Sequence, residues 1–322
     1  MRDFMAEFLD DLIHFNAGAL RRMIESLRTF LGAGGGLVVT LAGALSTAGI
    51  GRSLAPLIRR GSVELISCTG ANLEEDLFRL MASDRYEEVD WRIQTPAMDA
   101  DLAERGMNRI TDVAVPEDVI REVEDLLLSL WHEAEAGGHR RSPASYLSSV
   151  AMDPNLTLAR TWGRDASWLC AAAEAGIPVV VPGWEDSTMG NIFAARLMDG
   201  TLNDAGIVRS GVEAMVDLIR WYRGRDRPIG FLQLGGGIAG DFPICVVPLI
   251  RQDLGEEVPY WAWFGQIQDG TTSYGGYSAA PPSEKISWGK LRPETPMHVV
   301  ESDATLVAPI LFRSILNEAT SP

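Results

Sequence analysis

Cysteine is scarce in this sequence, and what there is lies scattered. Cys68, Cys170 and Cys245 form an odd set with no CxxC pair. That excludes a disulfide framework and points to a reducing, cytoplasmic compartment. The four histidines, His14, His132, His139 and His298, show no HExxH or CxxC…HxxxH spacing, so no metal site is expected. No stretch of about 18 residues is apolar and free of charge, which argues against a membrane-spanning helix. Acidic residues break the opening segment MRDFMAEFLDDLIHF, so it does not read as a signal peptide. Positive charge is also short. Lys plus Arg is 28 against 44 Asp plus Glu, a net charge of −16. Neither a nucleic-acid partner nor an anionic membrane suits that balance. A cationic substrate does.

What is present is a globular composition. The 322 residues are 46% hydrophobic and 22% charged, enough to bury a large core. Residues 3–31 carry apolar side chains at helical spacing, with a break expected near Asn16–Gly18, and Gly34–Gly36 reads as the stop. Strands are expected at 37–41, 63–67, 177–181, 229–234 and 260–264. Helices are expected near 50–60, 116–134, 156–175, 209–223 and 303–317. Asn72 reads as the N-cap of a further helix, with Glu74, Glu75 and Asp76 in its first turn. Residues 84–112 read as polar and irregular. Continuous apolar strands alternating with helices predict an α/β fold, a parallel sheet covered on both faces. No linker divides the chain. It reads as one domain over 1–322, with 1–33 as an N-terminal helical extension.

Several constellations could carry chemistry. Gly235-Gly236-Gly237-Ile238-Ala239-Gly240 follows a strand and fits G-x-G-x-x-G. It serves either a dinucleotide pyrophosphate or a tight strand-to-helix turn. Acidic loops at Thr69–Asp76, at Glu185–Asn191 and at Asp241 follow three strands. They either line one pocket at the strands' carboxyl ends or cap helices. Lysine is rare near the C-terminus, where 252–322 holds only Lys285 and Lys290. Lys290, behind Trp288 and Gly289, is a candidate Schiff-base amine if an apolar pocket keeps it neutral.

The set Gly70-Ala71-Asn72-Leu73-Glu74-Glu75-Asp76-Leu77, Asp186, Gly235-Gly236-Gly237, Glu284 with Ser287-Trp288-Gly289-Lys290, and Ser302-Asp303-Ala304-Thr305 resembles the deoxyhypusine synthase family in order and type. The resemblance covers about residues 40–310. It implies a modified Rossmann-like fold and NAD-dependent transfer of an aminobutyl group from spermidine through a lysine Schiff base. By that resemblance Lys290 is the nucleophile. Trp288 and Glu284 hold the polyamine, together with positions 191, 241 and 277. Thr69, Glu75, Asp186, Gly235, Gly236, Gly237, Ser302 and Asp303 align with cofactor contacts. The family forms tetramers with active sites at a dimer interface, so a homotetramer is expected.

The sequence also departs from the eukaryotic pattern. Asp241 stands where those enzymes have His, Asn191 where they have Asp, and Tyr277 where they have a second Asp. The turn at 42–48 lacks their Asn. These departures resemble the bacterial deoxyhypusine-synthase-like branch, which includes homospermidine synthases. Putrescine is therefore the expected acceptor. The alternatives are a lysine of translation factor 5A, or a non-catalytic protein that binds NAD or polyamine.

Overall fold

The computed structural model describes residues 4–317. Nine strands occur among them: β1 (Gly36–Leu41), β2 (Val63–Cys68), β3 (Glu87–Glu88), β4 (Met107–Ile110), β5 (Val113–Pro116), β6 (Val179–Val180), β7 (Ile229–Leu234), β8 (Trp263–Gln268) and β9 (Met297–Glu301). Six form a parallel sheet in the order β6-β2-β1-β7-β8-β9. Every residue of β1, β7 and β8 is buried, because helices cover both faces. The chain runs outward from β1 through β2 to β6, then returns to place β7 on the other side of β1. The carboxyl ends of β1 and β7 therefore diverge at a topological switch point, where open α/β sheets bind ligands.

One buried apolar cluster runs from Leu9 to Ile315 and takes in the N-terminal segment. The Phe15–Gly32 helix buries Leu20, Met23, Ile24 and Leu27. The break falls at 11–14, not at Asn16–Gly18. Asn16 instead bridges to Glu301 on β9, donating to its carbonyl at 2.6 Å and accepting from its N–H at 3.1 Å. Gly34, at φ +89°, ends that helix as read from the sequence.

The other departures have local causes. Residues 84–112 are not irregular: β3, β4 and β5 form an antiparallel sheet beside the Pro96–Glu104 helix. Its core is only Leu102, Met107 and Ala114, too small to leave an apolar pattern. Thr95 caps that helix, and Pro96 follows it. The helix expected over 156–175 spans only Trp168–Ala175, capped by Ser167, and a separate helix fills Pro143–Met152 behind the Ser142 cap. β8 lies at 263–268 and not at 260–264, because Gln266 and Gln268 are buried in the strand. β9, half-buried at the sheet edge, gave no continuous apolar run.

Candidate active site

A cavity of about 580 Å3 opens at the switch point. The turn after β1 (Ala42–Ala48), Thr69 after β2, Gly235–Ile238 after β7, Asp269 after β8 and Ser302–Thr305 after β9 line it. Its glycines do specific work. Gly235 and Gly237 adopt φ of +75° and +61°, which disfavours any residue with a Cβ. A Cβ on Gly236 would sit 2.2 Å from the Ser278 hydroxyl, so the turn packs directly on the 276–279 segment.

Asn72 holds the opposite wall. Thr69, not Asn72, is the N-cap of the Gly70–Ala82 helix. Asn72 lies one turn in and is fully buried. Its Oδ1 accepts from the Ser46 N–H at 2.8 Å. Its Nδ2 lies within reach of the carbonyls of Leu41, Ala42 and Gly43 and of Thr69 Oγ1, at 2.8–3.3 Å. One amide thus fastens the turn after β1 to the helix after β2. Ser46 Oγ in turn accepts from the Trp168 indole at 2.9 Å.

The acidic loops do not converge on a pocket. Glu74 is buried and accepts from the N–H groups of Thr188 and Met189 at 3.0 and 2.9 Å, at the start of the Thr188–Met198 helix. Asp76 accepts from Ser167 Oγ and the Leu169 N–H at the start of the Trp168–Ala175 helix. Both serve helix N-termini, which favour negative charge. Glu75 accepts from the Tyr86 phenol at 3.4 Å, and burial beside Glu74 pushes its carboxyl up to about 7. Glu75, which aligns with the cofactor-contacting set, does not line the first cavity. Asp186 also does not line it. That residue is exposed on the Trp184–Asp186 turn, whose Gly183 packs near Ile238 at the rim.

A second cavity of about 470 Å3 lies beyond the 276–279 segment. Asp241, Cys245, Tyr277, Glu284, Lys285, Trp288 and Lys290 are among its lining residues. Lys290 Nζ donates to Asp241 Oδ1 at 3.0 Å, with the lysine side chain 9% exposed. Trp288 is 68% exposed at the mouth. Asn191 is not part of this wall: its amide donates to the Ser187 carbonyl at 2.7 Å on a different helix. Gln233, buried on β7, joins the two cavities. Its Nε2 donates to the Gly235 carbonyl at 3.0 Å, and its Oε1 accepts from the Tyr277 phenol at 3.1 Å. Burial, with Asp241 nearby, raises the Tyr277 phenol, and burial raises the Cys245 thiol, so neither is a reactive anion.

The more apolar setting in this cavity is that of the other lysine, Lys285. Lys290 is ion-paired, whereas Lys285 Nζ is buried with no hydrogen-bond partner among the described residues. It lies 4.9 Å from the Phe264 ring centre and 5.1 Å from that of Tyr277. Burial, then repulsion from Lys290, lowers it to about 8.

A family profile for deoxyhypusine synthase matches residues 5–315. The chain belongs to the deoxyhypusine synthase family. Among relatives, a deoxyhypusine synthase-like protein of Nostoc punctiforme is 29% identical, covering 94% of this chain and 77% of its own. One from Cyanothece is 30% identical, covering 94% and 76%. A solved structure assigned to deoxyhypusine synthase from Entamoeba histolytica shares the fold, with a TM-score of 0.60 at 12% identity over 98% of this chain and 94% of that one. The six-stranded α/β fold is thus that of the family.

NAD is the family's cofactor, and the first cavity fits it. Backbone turns at Gly235–Gly237 leave room where a Cβ on Gly237 would meet nothing within 4 Å. Half-buried Ser302 and exposed Asp303 offer polar groups at the end of β9. Of the sequence-based sets, Thr69, Gly235, Gly236, Gly237, Ser302 and Asp303 come together here. Asp241, Tyr277, Glu284, Trp288 and Lys290 come together in the second cavity. Sequence reasoning missed Gln233 and misread Asn72, because only tertiary contacts give them their partners. It also passed over Lys285, although its rarity was a signal. Lys285 and Lys290 are the only lysines in the whole chain.

Proposed function

We propose that this protein transfers the 4-aminobutyl group of spermidine to an acceptor amine through a Schiff base on Lys290, with putrescine as acceptor and homospermidine as product. The observation that carries this reading is the Lys290–Asp241 pair, in a polyamine-sized cavity one loop away from a cavity that fits NAD. Thr69, Gly235–Gly237, Ser302 and Asp303 would hold the cofactor, which when bound supplies a hydride acceptor and returns the same hydride at the end.

In the lysine cavity, Glu284 and Asp241 offer carboxylates to substrate ammonium groups, while Trp288 and Tyr277 offer ring faces. Asp241 holds Lys290 Nζ in place. After losing its proton, Lys290 attacks the imine carbon formed beside the secondary nitrogen of spermidine. A new C–N bond forms and 1,3-diaminopropane leaves as the free amine. The acceptor amine then displaces Lys290, which regains its proton. The net exchange is spermidine plus putrescine to homospermidine plus 1,3-diaminopropane.

The test is product analysis by mass spectrometry with spermidine, putrescine and NAD, combined with borohydride trapping. Homospermidine, 1,3-diaminopropane and an adduct on Lys290 are expected. Lys290→Ala and Lys290→Arg should both abolish transfer, because arginine keeps the charge but cannot form the Schiff base. Absence of both products with the wild type refutes the reading. Diaminopropane without homospermidine would redirect it to another acceptor, a translation factor 5A lysine among them. The same reading assigns a homotetramer, whose interfaces would cover exposed Ile238, Tyr274 and Trp288. Light scattering should then give four times the 35.1 kDa chain mass.

A further inference from the structure

We infer that Lys285 is the proton acceptor of the lysine cavity, the amine that takes the proton from a substrate ammonium so that the carbon beside its nitrogen can lose hydride or the nitrogen can attack. This rests on the aminobutyl-transfer reading above and deepens it. Three observations carry it.

The first is compositional. Of the 28 lysine and arginine positions, all but two are arginine, and the only two lysines of the chain both line this cavity. A fixed cation would be served equally by arginine. Only lysine can exist as a neutral amine near neutral pH. Lys290 is accounted for as the nucleophile, which leaves Lys285 without a role.

The second is geometric. Lys285 is 3% exposed, and its Nζ has no hydrogen-bond partner among the described residues. The Phe264 ring of β8 and the Tyr277 ring lie about it. Lys290 Nζ is 5.6 Å from that same Tyr277 ring centre. Of the two carboxylates lining the cavity, Asp241 is held by Lys290 at 3.0 Å, and Glu284 forms no ion pair with Lys285 among the described residues. An unpaired buried ammonium is costly, so this surrounding favours the neutral form of the amine relative to a solvated lysine.

The third is the charge around it. The titratable groups facing this cavity are Glu284 on its own short helix, Lys290, Asp241 and Cys245 on the segment after β7, and Tyr277. Burial and Lys290 lower the Lys285 amine, while Glu284 and Asp241 only partly restore it, leaving it at about 8. A base with that value works well near physiological pH.

The step balances simply. A secondary ammonium of the substrate loses one proton to Lys285 Nζ. The substrate nitrogen becomes a neutral amine with its lone pair free, and Lys285 becomes an ammonium. The proton then leaves through the open cavity mouth. The lone pair is what carbon–hydrogen cleavage beside that nitrogen requires, and what an acceptor amine needs to attack the Schiff base.

The experiment compares wild type, Lys285→Met and Lys285→Arg in full pH profiles of kcat and KM for spermidine, with thermal melting to check folding. Wild-type kcat should rise with pH and level off above about 8. Lys285→Met removes the base but keeps the length and apolar fit. It should lower kcat at pH 7.5 by about 10²–10³-fold. Above pH about 9.5 it should recover to within several-fold of wild type, because the substrate ammonium then deprotonates by itself. Lys285→Arg should show the same loss at pH 7.5. If either variant keeps wild-type kcat and the wild-type pH profile, the inference is overturned while the transfer reading stands. If the wild type itself makes no product, the transfer reading fails, and this inference falls with it.

Discussion

Asn72→Ala tests whether one buried amide builds the wall of the first cavity proposed to hold NAD. The substitution removes the acceptor of the Ser46 N–H and the donor that spans the Leu41, Ala42 and Gly43 carbonyls and Thr69 Oγ1. The Gly43 carbonyl keeps a partner, since Thr69 Oγ1 still donates to it at 3.0 Å. The Leu41 carbonyl keeps one as well, the Thr69 N–H at 3.1 Å. The main loss is therefore the Ser46 N–H, left facing a small void. An orphaned buried donor costs about 1–3 kcal/mol, and loss of the amide's own bonds brings the total to about 2–4 kcal/mol. Asn72→Asp is the sharper probe. It retains the shape and the acceptor for Ser46, but turns carboxylate oxygen toward carbonyl oxygens. At pH 7.5 it should destabilise at least as much as alanine. Thermal melting and urea unfolding read the stability. An NAD titration by fluorescence reads the turn, and should show at least a tenfold loss of affinity for both variants. Wild-type melting and wild-type NAD affinity in Asn72→Ala would refute the claim that this side chain positions the 42–48 turn.

Other substitutions address the remaining parts. Gly235→Ala places a Cβ 2.9 Å from that of Ala42 at φ +75°, so it should lower the melting temperature and weaken NAD binding together. Unchanged affinity would separate the turn from the cofactor. Glu74→Ala strips the carboxylate from the first N–H groups of the Thr188–Met198 helix. A loss of about 1–2 kcal/mol is expected by denaturation. The Glu75 carboxyl is raised to about 7 in the fold from an ordinary value of 4.5, so the folded state binds the extra proton between those values. Stability should therefore fall as pH rises through about 4.5–7, and Glu75→Gln should flatten that slope. A wild-type slope in Glu75→Gln would remove Glu75 as its source.

The residue pattern reached a long way by itself. Buried runs such as Leu37–Leu41 and Ile229–Leu234 fix strands wherever they sit, because a strand covered on both faces needs apolar side chains on both. Glycines with positive φ after β7 were legible for the same local reason. The motif order placed Lys290 and its neighbours, since the chemistry requires particular atoms at particular positions. Local pattern failed where identity is set by a distant partner. Gln266 and Gln268 look like loop residues until β8 is seated in the sheet, and β3 to β5 rest on a core of only three buried residues.

Only the tertiary structure decided which carboxylates face a cavity. Glu74, Asp76 and Asp241 all lie after strands. Two of them turn inward onto helix N-termini, and the third pairs with Lys290. The sequence likewise marked Lys290 through its motif but showed nothing of the surroundings of Lys285, five residues before it. The fold gave one amine a carboxylate and the other two aromatic rings. Charge is specified by the chain, but protonation state depends on desolvation and on the nearest opposite charge, and those exist only after packing.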